Sequence, residues 1–537
     1  MSKEIELEIK KPFLIALLLI ISLIFIFELR VTLTSPIAFG DEGYHTRMAQ
    51  WIYENKEYPI WTPFEQANLR IEGFSRPPLW NILEAGIFLI IGFSEIVVKI
   101  LTPFIATFML GLVVFLLGKK IFNEKIAFIA SIIMITVPCL VTYSVLFYTD
   151  VLFTFVFSSF VLCLMLALKE NEKKYWILSV IFASFSILTK LPGIVVFPII
   201  GLVFLYELFK NRNLKIIKKY IPFFLILILI TGPFFIRNFY YFRTPMCGLP
   251  LFNNNNCIKS PEYEVQTNRE FEGSTTPTGS ELSLMKMGIT NFLNFAYGSI
   301  FFIPLLFLCG LYLIIKKQNI ENVLLLIVLI SFIFVLIKST SRAEDTARYM
   351  LGSLISISFI VAIYLDKVYE FIEKYYKNLA VVVFILVIIL GFWNLNQKLR
   401  IMKAVKQFSP SFFEACDWIK QNTPENATLY TVWGHRATYN AQRKCAQFAS
   451  LPDSRDILLS NNATLVHERL KAEGINYVFV QKFSIDKHAY RQKFPVGFVQ
   501  VLENNPDYFK KVYENGPVSK QCLQGGCDGN IVYEVVY

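Results

Sequence analysis

The chain has 537 residues, of which 55% are hydrophobic and 17% charged, and 51 of them are phenylalanine. Its mean hydropathy of +0.49 exceeds that of an ordinary soluble domain and indicates a membrane protein. The net charge of +11 would favour nucleic-acid binding in a soluble chain, but most basic residues lie in short loops between apolar runs, so no nucleic-acid partner is predicted.

Apolar runs that can each cross a bilayer as a helix of about 20 residues occur along most of the chain. The first, Phe13 to Phe27, follows Lys10 and Lys11 as a signal peptide would, but no small-residue cleavage site comes after it. We interpret it as a retained anchor. About eleven spans are predicted, near 13–33, 97–118, 126–149, 150–168, 175–190, 191–208, 220–237, 297–315, 321–338, 349–366 and 378–396.

The first span is followed by a polar loop over 34–96 that opens with the acidic pair Asp41 and Glu42. A carboxylate where lipid meets water is poorly solvated, so its pKa is expected to rise, and it becomes a candidate proton acceptor for a hydroxyl. The alternative is that Asp41 only caps a helix beginning at Glu42.

This loop leads through Arg76-Pro77-Pro78 into the short apolar segment Leu79–Phe93, which contains Glu84. The segment suits an interfacial or re-entrant helix better than a crossing. If it did cross, the lysine-rich loops would all face outward, against the positive-inside rule. We therefore predict that the charged residues at the other ends of the spans share the outer face, namely Asp41, Arg76, Asp150, Lys190, Arg237 and Arg348.

Asp150 is the only charged residue between Lys125 and Lys169. An ionisable group in such apolar surroundings is a functional candidate, although an Asp that caps a helix in a turn between spans is the alternative. Lys190 also stands between apolar runs. It is a candidate ligand for a phosphate, or a snorkelling anchor for its helix.

Arg237 and Arg348 mark the outer ends of two later spans. The planar fork of arginine suits a phosphate, whereas a surface ion pair, such as Arg348 with Glu344, is the alternative. Arg76 lies where a lipid phosphate would be, and an interfacial cation attracted to anionic headgroups is its alternative. Carboxylates and cations gathered beside lipid are what transfer from a lipid phosphate requires.

After the last span the composition becomes that of a soluble protein, so we divide the chain into a transmembrane catalytic domain, 1–396, and a small α/β domain, 397–537. Leu429–Trp433 and Ile475–Val480 are predicted strands, and Phe412–Lys420 and Thr464–Glu473 are predicted helices. An odd number of spans places this domain outside the cell membrane.

Six of the nine cysteines fall in regions assigned to the outside, where they could pair. The predicted disulfides are Cys522 with Cys527 and Cys247 with Cys257. Cysteine and histidine spacings match no usual zinc pattern. No cofactor is required, and a divalent ion bridging Asp41 and Asp150 is the alternative.

The order of these motifs resembles the integral-membrane glycosyltransferases of the GT-C fold, and most of all the dolichyl-phosphate-mannose protein mannosyltransferases and the aminoarabinose lipid A transferases. The similarity covers about Phe39 to Tyr349. It implies an inverting transferase that takes a sugar from a polyprenyl phosphate at the outer face of the cell membrane. The expected acceptor is a hydroxyl, which could belong to a lipid, a glycan or a protein.

The resemblance assigns Asp41 as the first-loop catalytic acid, Glu42 as its neighbour and Asp150 as the second-loop acid. Arg76 matches the basic residue before the proline turn, and the other predicted phosphate ligands are Lys190, Arg237 and Arg348. Tyr44, His45 and Tyr349 are predicted to contact substrate. The long outer loop over 243–296 matches no motif of the family, so the acceptor is not assigned.

Two alternative functions are compatible with the same residues. One is an oligosaccharyl or polymer ligase that uses a pyrophosphate carrier and a divalent ion. The other is a flippase or transporter of lipid-linked sugars, in which the same charges would line a path. A purely structural surface protein fits poorly with charges gathered at span ends.

Overall fold

The computed structural model describes most of the chain. The described residues are 11–37, 41–67, 70–73, 76–211, 215–242, 302–317, 319–338, 348–376, 385, 389, 391–393, 395–403, 409–432, 434–447, 454–486, 494–516 and 528–537. The outer loop 243–296, both predicted disulfides and most of the last predicted span, 378–396, lie outside them.

The described residues up to 403 form mainly helices, because intrahelical hydrogen bonds satisfy a backbone surrounded by lipid. A two-stranded antiparallel ribbon, β1 (Trp61–Ala67) and β2 (Arg70–Gly73), interrupts them in the first loop. The helices are α1 (Lys11–Leu33), α2 (Asp41–Asn55), α3 (Leu79–Ile91), α4 (Glu95–Pro103), α5 (Leu110–Ile121), α6 (Glu124–Thr136), α7 (Pro138–Ser144), α8 (Thr149–Glu170), α9 (Lys173–Thr189), α10 (Val196–Asn211), α11 (Lys215–Phe242), α12 (Phe302–Lys316), α13 (Ile320–Lys338) and α14 (Leu354–Tyr375).

Within the described residues, six helical segments are long and apolar enough to cross a membrane, or seven if the bent pair α6 and α7 is one span. The six are Pro12–Leu33, Glu95–Ile121, Thr149–Glu170, Leu191–Phe209, Tyr220–Phe242 and Arg348–Tyr375. Helices α9, α12 and α13 lie where three further spans were predicted. The total of eleven stays a prediction.

The predicted span 126–149 is not one continuous helix, which corrects that prediction. Helices α6 and α7 are bent by 59° at Val137. Proline removes a backbone donor and pushes the residue before it out of the helical region, and Val137 indeed has an extended ψ of 128° ahead of Pro138.

Helix α3 follows the proline pair as predicted and has 13 residues. At 1.5 Å per residue it is about 20 Å long, which is too short for a hydrocarbon core of about 30 Å. This length agrees with an interfacial or re-entrant helix.

Helix α8 lies at the centre of the bundle. Ninety-four per cent of its most apolar stretch is buried, as expected for a helix that is hydrophobic on all sides. Its start is set by Phe147, which is fully buried and has a φ of 39° that sharply reverses the chain after α7. Asp150, in the first turn of α8, is therefore held on the most enclosed helix of the bundle.

Residues 409–537 contain a mixed sheet of five strands in the order β4-β3-β5-β9-β8. Strands β3 and β5 form where strands were predicted, with Trp433 outside the described residues. The elements are α15 (Pro410–Asn422), β3 (Thr428–Thr431), α16 (Gly434–Ala441), β4 (Lys444–Gln447), α17 (Ser454–Leu459), α18 (Ala463–Ala472), β5 (Tyr477–Gln481), β6 (Ile485–Asp486), β7 (Phe494–Pro495), α19 (Val496–Asn504), β8 (Phe509–Asn515) and β9 (Asn530–Val535).

Candidate active site

Asp41 lies in the first turn of α2, where the helix dipole favours a negative charge. Its Oδ2 accepts a hydrogen bond from Nη2 of Arg348 at 3.0 Å. Its backbone N–H donates to the hydroxyl of Tyr148 at 3.3 Å. Arg348 opens the described part of a helical segment 307 residues further along the chain. Residues from opposite ends of the membrane region therefore meet at Asp41.

The same arginine also binds Asp150. Its Nη2 lies 3.1 Å from Oδ2 of Asp150, and its Nε lies 3.3 Å from both carboxylate oxygens. Lys190 forms an ion pair with the other side of Asp150, whose carboxylate is fully buried. Arg348 thus joins the two acids into one network, which requires that they lie at the same end of the bundle.

A cavity of about 210 Å³ opens beside this network. Three cationic side chains line it, and Asp150, which does not line it, pairs with two of them, Lys190 and Arg348. The lining residues are Asp41, His45, Arg76, Pro77, Thr149, Thr189, Lys190, Leu191, Arg348 and Tyr349. Arg76 stacks on the ring of Tyr44 with its guanidinium carbon 4.0 Å from the ring centre. The cavity therefore combines the carboxylate of Asp41 with three cationic side chains. This combination suits the binding of an anionic ligand and a proton transfer.

The pKa of Asp41 does not rise as expected from its place at the membrane surface. Burial would raise the pKa of this carboxyl, but the charges of Arg348 and Arg76, with smaller contributions from two histidines, lower it well below its ordinary value. The expectation was wrong because the sequence did not show that an arginine sits directly on this carboxylate. The carboxyl group of Asp41 is therefore ionised.

His45 is held by Asn81 of α3, with Nδ1 and Oδ1 3.0 Å apart. Burial lowers the pKa of His45 to about 4. Asp41 and the hydrogen bond with Asn81 oppose this shift in the pKa, while Arg76 and Arg348 contribute to it. The imidazole is therefore neutral at pH 7.

Four predicted site residues do not line the cavity: Asp150 and Tyr44 contact residues that do, whereas Arg237 and Glu42 lie elsewhere in the described structure. Arg237 donates from Nη2 to the carbonyl of Pro59 at 2.5 Å and lies over the ring of Tyr58, so it does not line the cavity. The fully buried Glu42 does not line it either, and its charge acts on Arg436 of α16. Burial lowers the pKa of Arg436 to about 10, and Glu42 opposes that shift.

The contact of α16 with α2 was missed by the sequence analysis. The ring of His435 lies 5.1 Å from that of Tyr44, and the side chain of Asn440 donates to the carbonyl of Ile37 at 3.2 Å. Tyr148 was also missed, although it stands two residues before Asp150; Arg348 lies 4.7 Å from the centre of its ring. For α16 no local signal exists, because it follows Asp41 by almost 400 residues in a segment of ordinary soluble composition.

Gly43 is the residue that lets these helices approach. A Cβ atom at this position would lie 2.7 Å from the carbonyl oxygen of His435. We expect Gly43→Ala to lower stability by about 1–3 kcal/mol, as overpacking does, and to lower activity by displacing Asp41. Gly86→Ala is the matched control, because nothing lies within 4 Å of a Cβ at that position in α3.

Thermal unfolding of the two variants in detergent tests this expectation. Gly43→Ala should unfold at a lower temperature than the wild type, whereas Gly86→Ala should unfold at the same or a higher one, since alanine favours a helix interior over glycine. Equal midpoints for the two variants would contradict a tight contact between α2 and α16.

Among the described residues, no three His, Cys, Asp or Glu side chains form a group that could hold a metal ion. The two carboxylates suggested as metal ligands, Asp41 and Asp150, are each paired with Arg348 instead. Cys416 and Cys445, which could have paired, are buried free thiols.

Residues 75–236 match the family model described as dolichyl-phosphate-mannose-protein mannosyltransferase. The matched range includes Arg76, Asp150 and Lys190 and ends just before Arg237. No curated protein matches the chain.

Several solved structures are similar over nearly the whole chain. Oligosaccharyltransferase AglB from Archaeoglobus fulgidus, in complex with an inhibitory peptide and a dolichol-phosphate, is 15% identical with a TM-score of 0.65, over 95% of this chain and 74% of its own. ArnT from Cupriavidus metallidurans, bound to undecaprenyl phosphate, is 13% identical with a TM-score of 0.59, over 98% and 99%.

Arabinofuranosyltransferase AftD from Mycobacteria is 12% identical with a TM-score of 0.58, over 96% of this chain and 40% of its own. Identities this low show the fold alone. The chain has the GT-C fold of these membrane glycosyltransferases, and its resemblance to the group of the dolichyl-phosphate-mannose protein mannosyltransferases and the aminoarabinose transferases is confirmed.

Proposed function

We propose that this protein is an inverting membrane glycosyltransferase that moves a sugar from a polyprenyl phosphate to a hydroxyl of a lipid, glycan or protein. The observation that carries the proposal is the shared position of Arg348 between Asp41 and Asp150, beside Lys190. It provides an acid–base group and phosphate ligands in one cavity. The dolichol-phosphate and undecaprenyl phosphate in the structures of AglB and ArnT support a carrier of this class.

In the proposed reaction Asp41 accepts the proton of the acceptor hydroxyl while that oxygen attacks C1 of the sugar from the side opposite the phosphate. The bond from C1 to the phosphate oxygen breaks, and its electron pair stays on the phosphate. Arg76, Arg348 and Lys190 stabilise the growing charge, so the leaving group needs no proton. Asp150 orients Arg348 and Lys190.

The membrane arrangement belongs to the same proposal. With about eleven spans and a cytoplasmic N-terminus, the cavity and residues 397–537 lie on the extracytoplasmic side. Nucleotide sugars do not reach that side, which is a second argument for a lipid-linked sugar donor. Arg237 remains a proposed phosphate ligand: it lies over Tyr58, whose hydroxyl donates to the backbone carbonyl of Arg76 at 3.3 Å.

Incubation of the purified protein with a panel of labelled polyprenyl-phosphate sugars and membrane extracts tests this function. One sugar should pass to one acceptor class, and the product should have the opposite anomeric configuration. Transfer with retention, or transfer only from nucleotide sugars, would overturn the proposal.

An oligosaccharyl or polymer ligase is the second candidate, because AglB is an oligosaccharyltransferase and has a similar fold. Such a ligase would use a pyrophosphate carrier and a divalent ion. We expect that EDTA leaves the transfer rate unchanged, since cationic side chains already surround the phosphate position. Loss of activity in EDTA that Mg²⁺ or Mn²⁺ restores would favour the ligase.

A further inference from the structure

Helices α2 and α3 pack side by side and share an unusually polar contact. The contact begins at the hydrogen bond between His45 and Asn81 and continues to the rings of Tyr53 and Phe88, 6.2 Å apart. Glu84 lies between these two points, one turn after Asn81 and one turn before Phe88. It is 1% exposed.

Neither carboxyl oxygen of Glu84 has a hydrogen-bond partner among the described residues. Burial raises the pKa of Glu84 well above its ordinary value, and no charge offsets this effect. Burial without a hydrogen-bond partner therefore favours the protonated form of Glu84.

Three other buried polar atoms on the same two helices also have no partner among the described residues: Oγ1 of Thr46, Oε1 of Gln50 and Nδ2 of Asn81. An unsatisfied buried polar group costs about 1–3 kcal/mol, so a contact built for stability alone would not collect them. Buried polar groups of this kind are the usual sites of internal water.

One end of this polar contact is the cavity. Oδ1 of Asn81 only accepts hydrogen bonds, so Nδ1 of His45 carries the hydrogen and Nε2 is the acceptor. Both His45 and Asp41 line the cavity, one turn apart on α2. His45 is therefore placed to take a proton from that carboxyl.

The other end is Tyr439 of α16. It packs with Ala49 and with Phe88, which is one turn from Glu84 on α3, and Glu84 lies close enough to raise the pKa of its hydroxyl. That hydroxyl donates to Oε1 of Glu95 at 2.7 Å, and the side chain of Glu95 is 44% exposed. The polar contact thus leads from the cavity to solvent.

We propose that the contact between α2 and α3 is a proton path by which the acceptor's proton leaves the cavity. The inference rests on the proposed function. Asp41 passes the proton to Nε2 of His45, and bound water carries it to Glu84. Glu84 takes it on one oxygen and releases its own proton from the other to Tyr439, whose hydroxyl proton passes to Glu95.

The titratable groups along this contact are His45 of α2, Tyr439 of α16 with Glu95 behind it, Lys99, which pairs with Glu95 at 3.3 Å, and Arg47, whose charge acts on Tyr439. Among the residues that the structure describes, Glu84 is the one carboxyl that is fully buried with both oxygens lacking partners. It is the group on which the path depends.

Glu84→Gln and Glu84→Asp, made in the full-length protein, test the path. The amide keeps the shape but cannot carry a proton, so we expect kcat to fall by about tenfold to 100-fold, towards the lower end of what proton transfer contributes. KM should stay unchanged, and the pH profile of kcat should shift. Glu84→Asp should recover most of kcat, and Glu57→Gln, an exposed carboxyl in the same loop, should behave as wild type.

The infrared carbonyl band of protonated carboxyls should be weaker in Glu84→Gln than in the wild type, by the contribution of one carboxyl. This measurement needs no substrate, so it tests the path even if no sugar is transferred, a result that would count against the proposed function alone. Wild-type kcat and pH profile in Glu84→Gln, an equal loss in Glu84→Asp and Glu84→Gln, or identical infrared spectra would overturn the path. Tyr439→Phe should reproduce the kcat loss if Glu84→Gln does not fold.

Discussion

Replacing Asp41 by asparagine is expected to lower the rate of sugar transfer by about 10²- to 10⁴-fold, the range that a general base contributes. Asparagine keeps the shape of the side chain but cannot accept the proton of the acceptor hydroxyl. Binding of the sugar donor should be unchanged or tighter, because an anion that competes for Arg348 has been removed. Single-turnover transfer and separate titration of the polyprenyl phosphate measure the two effects.

Asp507→Asn is the matched control, because Asp507 is exposed and lies far along the chain in the helical turn before β8. It should transfer sugar at the wild-type rate. If Asp41→Asn keeps full activity, Asp41 is not the base. If the wild type moves a lipid-linked sugar across the membrane without any transfer, and the variant does so equally well, the protein is a transporter.

Replacement of Arg348 is expected to have the other large effect. Arg348→Lys keeps the charge but loses the planar fork that reaches both acids and a phosphate. We expect the rate of transfer to fall by about 10²- to 10³-fold, as when a stabilising hydrogen-bond donor is removed, and the affinity for polyprenyl phosphate to fall with it.

Arg348→Ala should in addition destabilise the fold by about 3–5 kcal/mol, because it leaves the buried carboxylate of Asp150 with only Lys190. Thermal unfolding in detergent measures this loss. Arg400→Lys is the control for the first variant, since Arg400 is exposed on a described helical stretch. An Arg348→Lys variant with unchanged affinity and rate would remove Arg348 from the phosphate site.

The charged residues of the site could be found from the sequence because ionisable groups stand out at the ends of apolar runs. Asp150 and Lys190 were identified in this way, and the structure pairs Lys190 with Asp150 and Asp150 with Arg348. Their pairing could not be predicted, because 198 residues separate Arg348 from Asp150 and no local pattern connects them. For the same reason the pKa of Asp41 was expected to move in the wrong direction.

Other differences have different physical causes. The break at Val137 had a signal, since Pro138 stands inside the apolar run, but run length alone was used to define the span. No sequence pattern predicts the docking of α16 on α2. The two helices approach closely because Gly43 has no side chain. The long outer loop predicted over 243–296 lies outside the described residues.

The carboxylates of Asp41 and Asp150 both bind Arg348, so an incoming phosphate must displace at least one of them. In the proposed reaction the displaced carboxylate is that of Asp41, which lines the cavity. Asp150 does not line it and stays bound to Arg348. Once the sugar has left, Asp41 competes with the spent lipid carrier for the same guanidinium. Asp41 thus has two roles: it accepts the proton of the acceptor hydroxyl, and it later helps to release the spent lipid carrier.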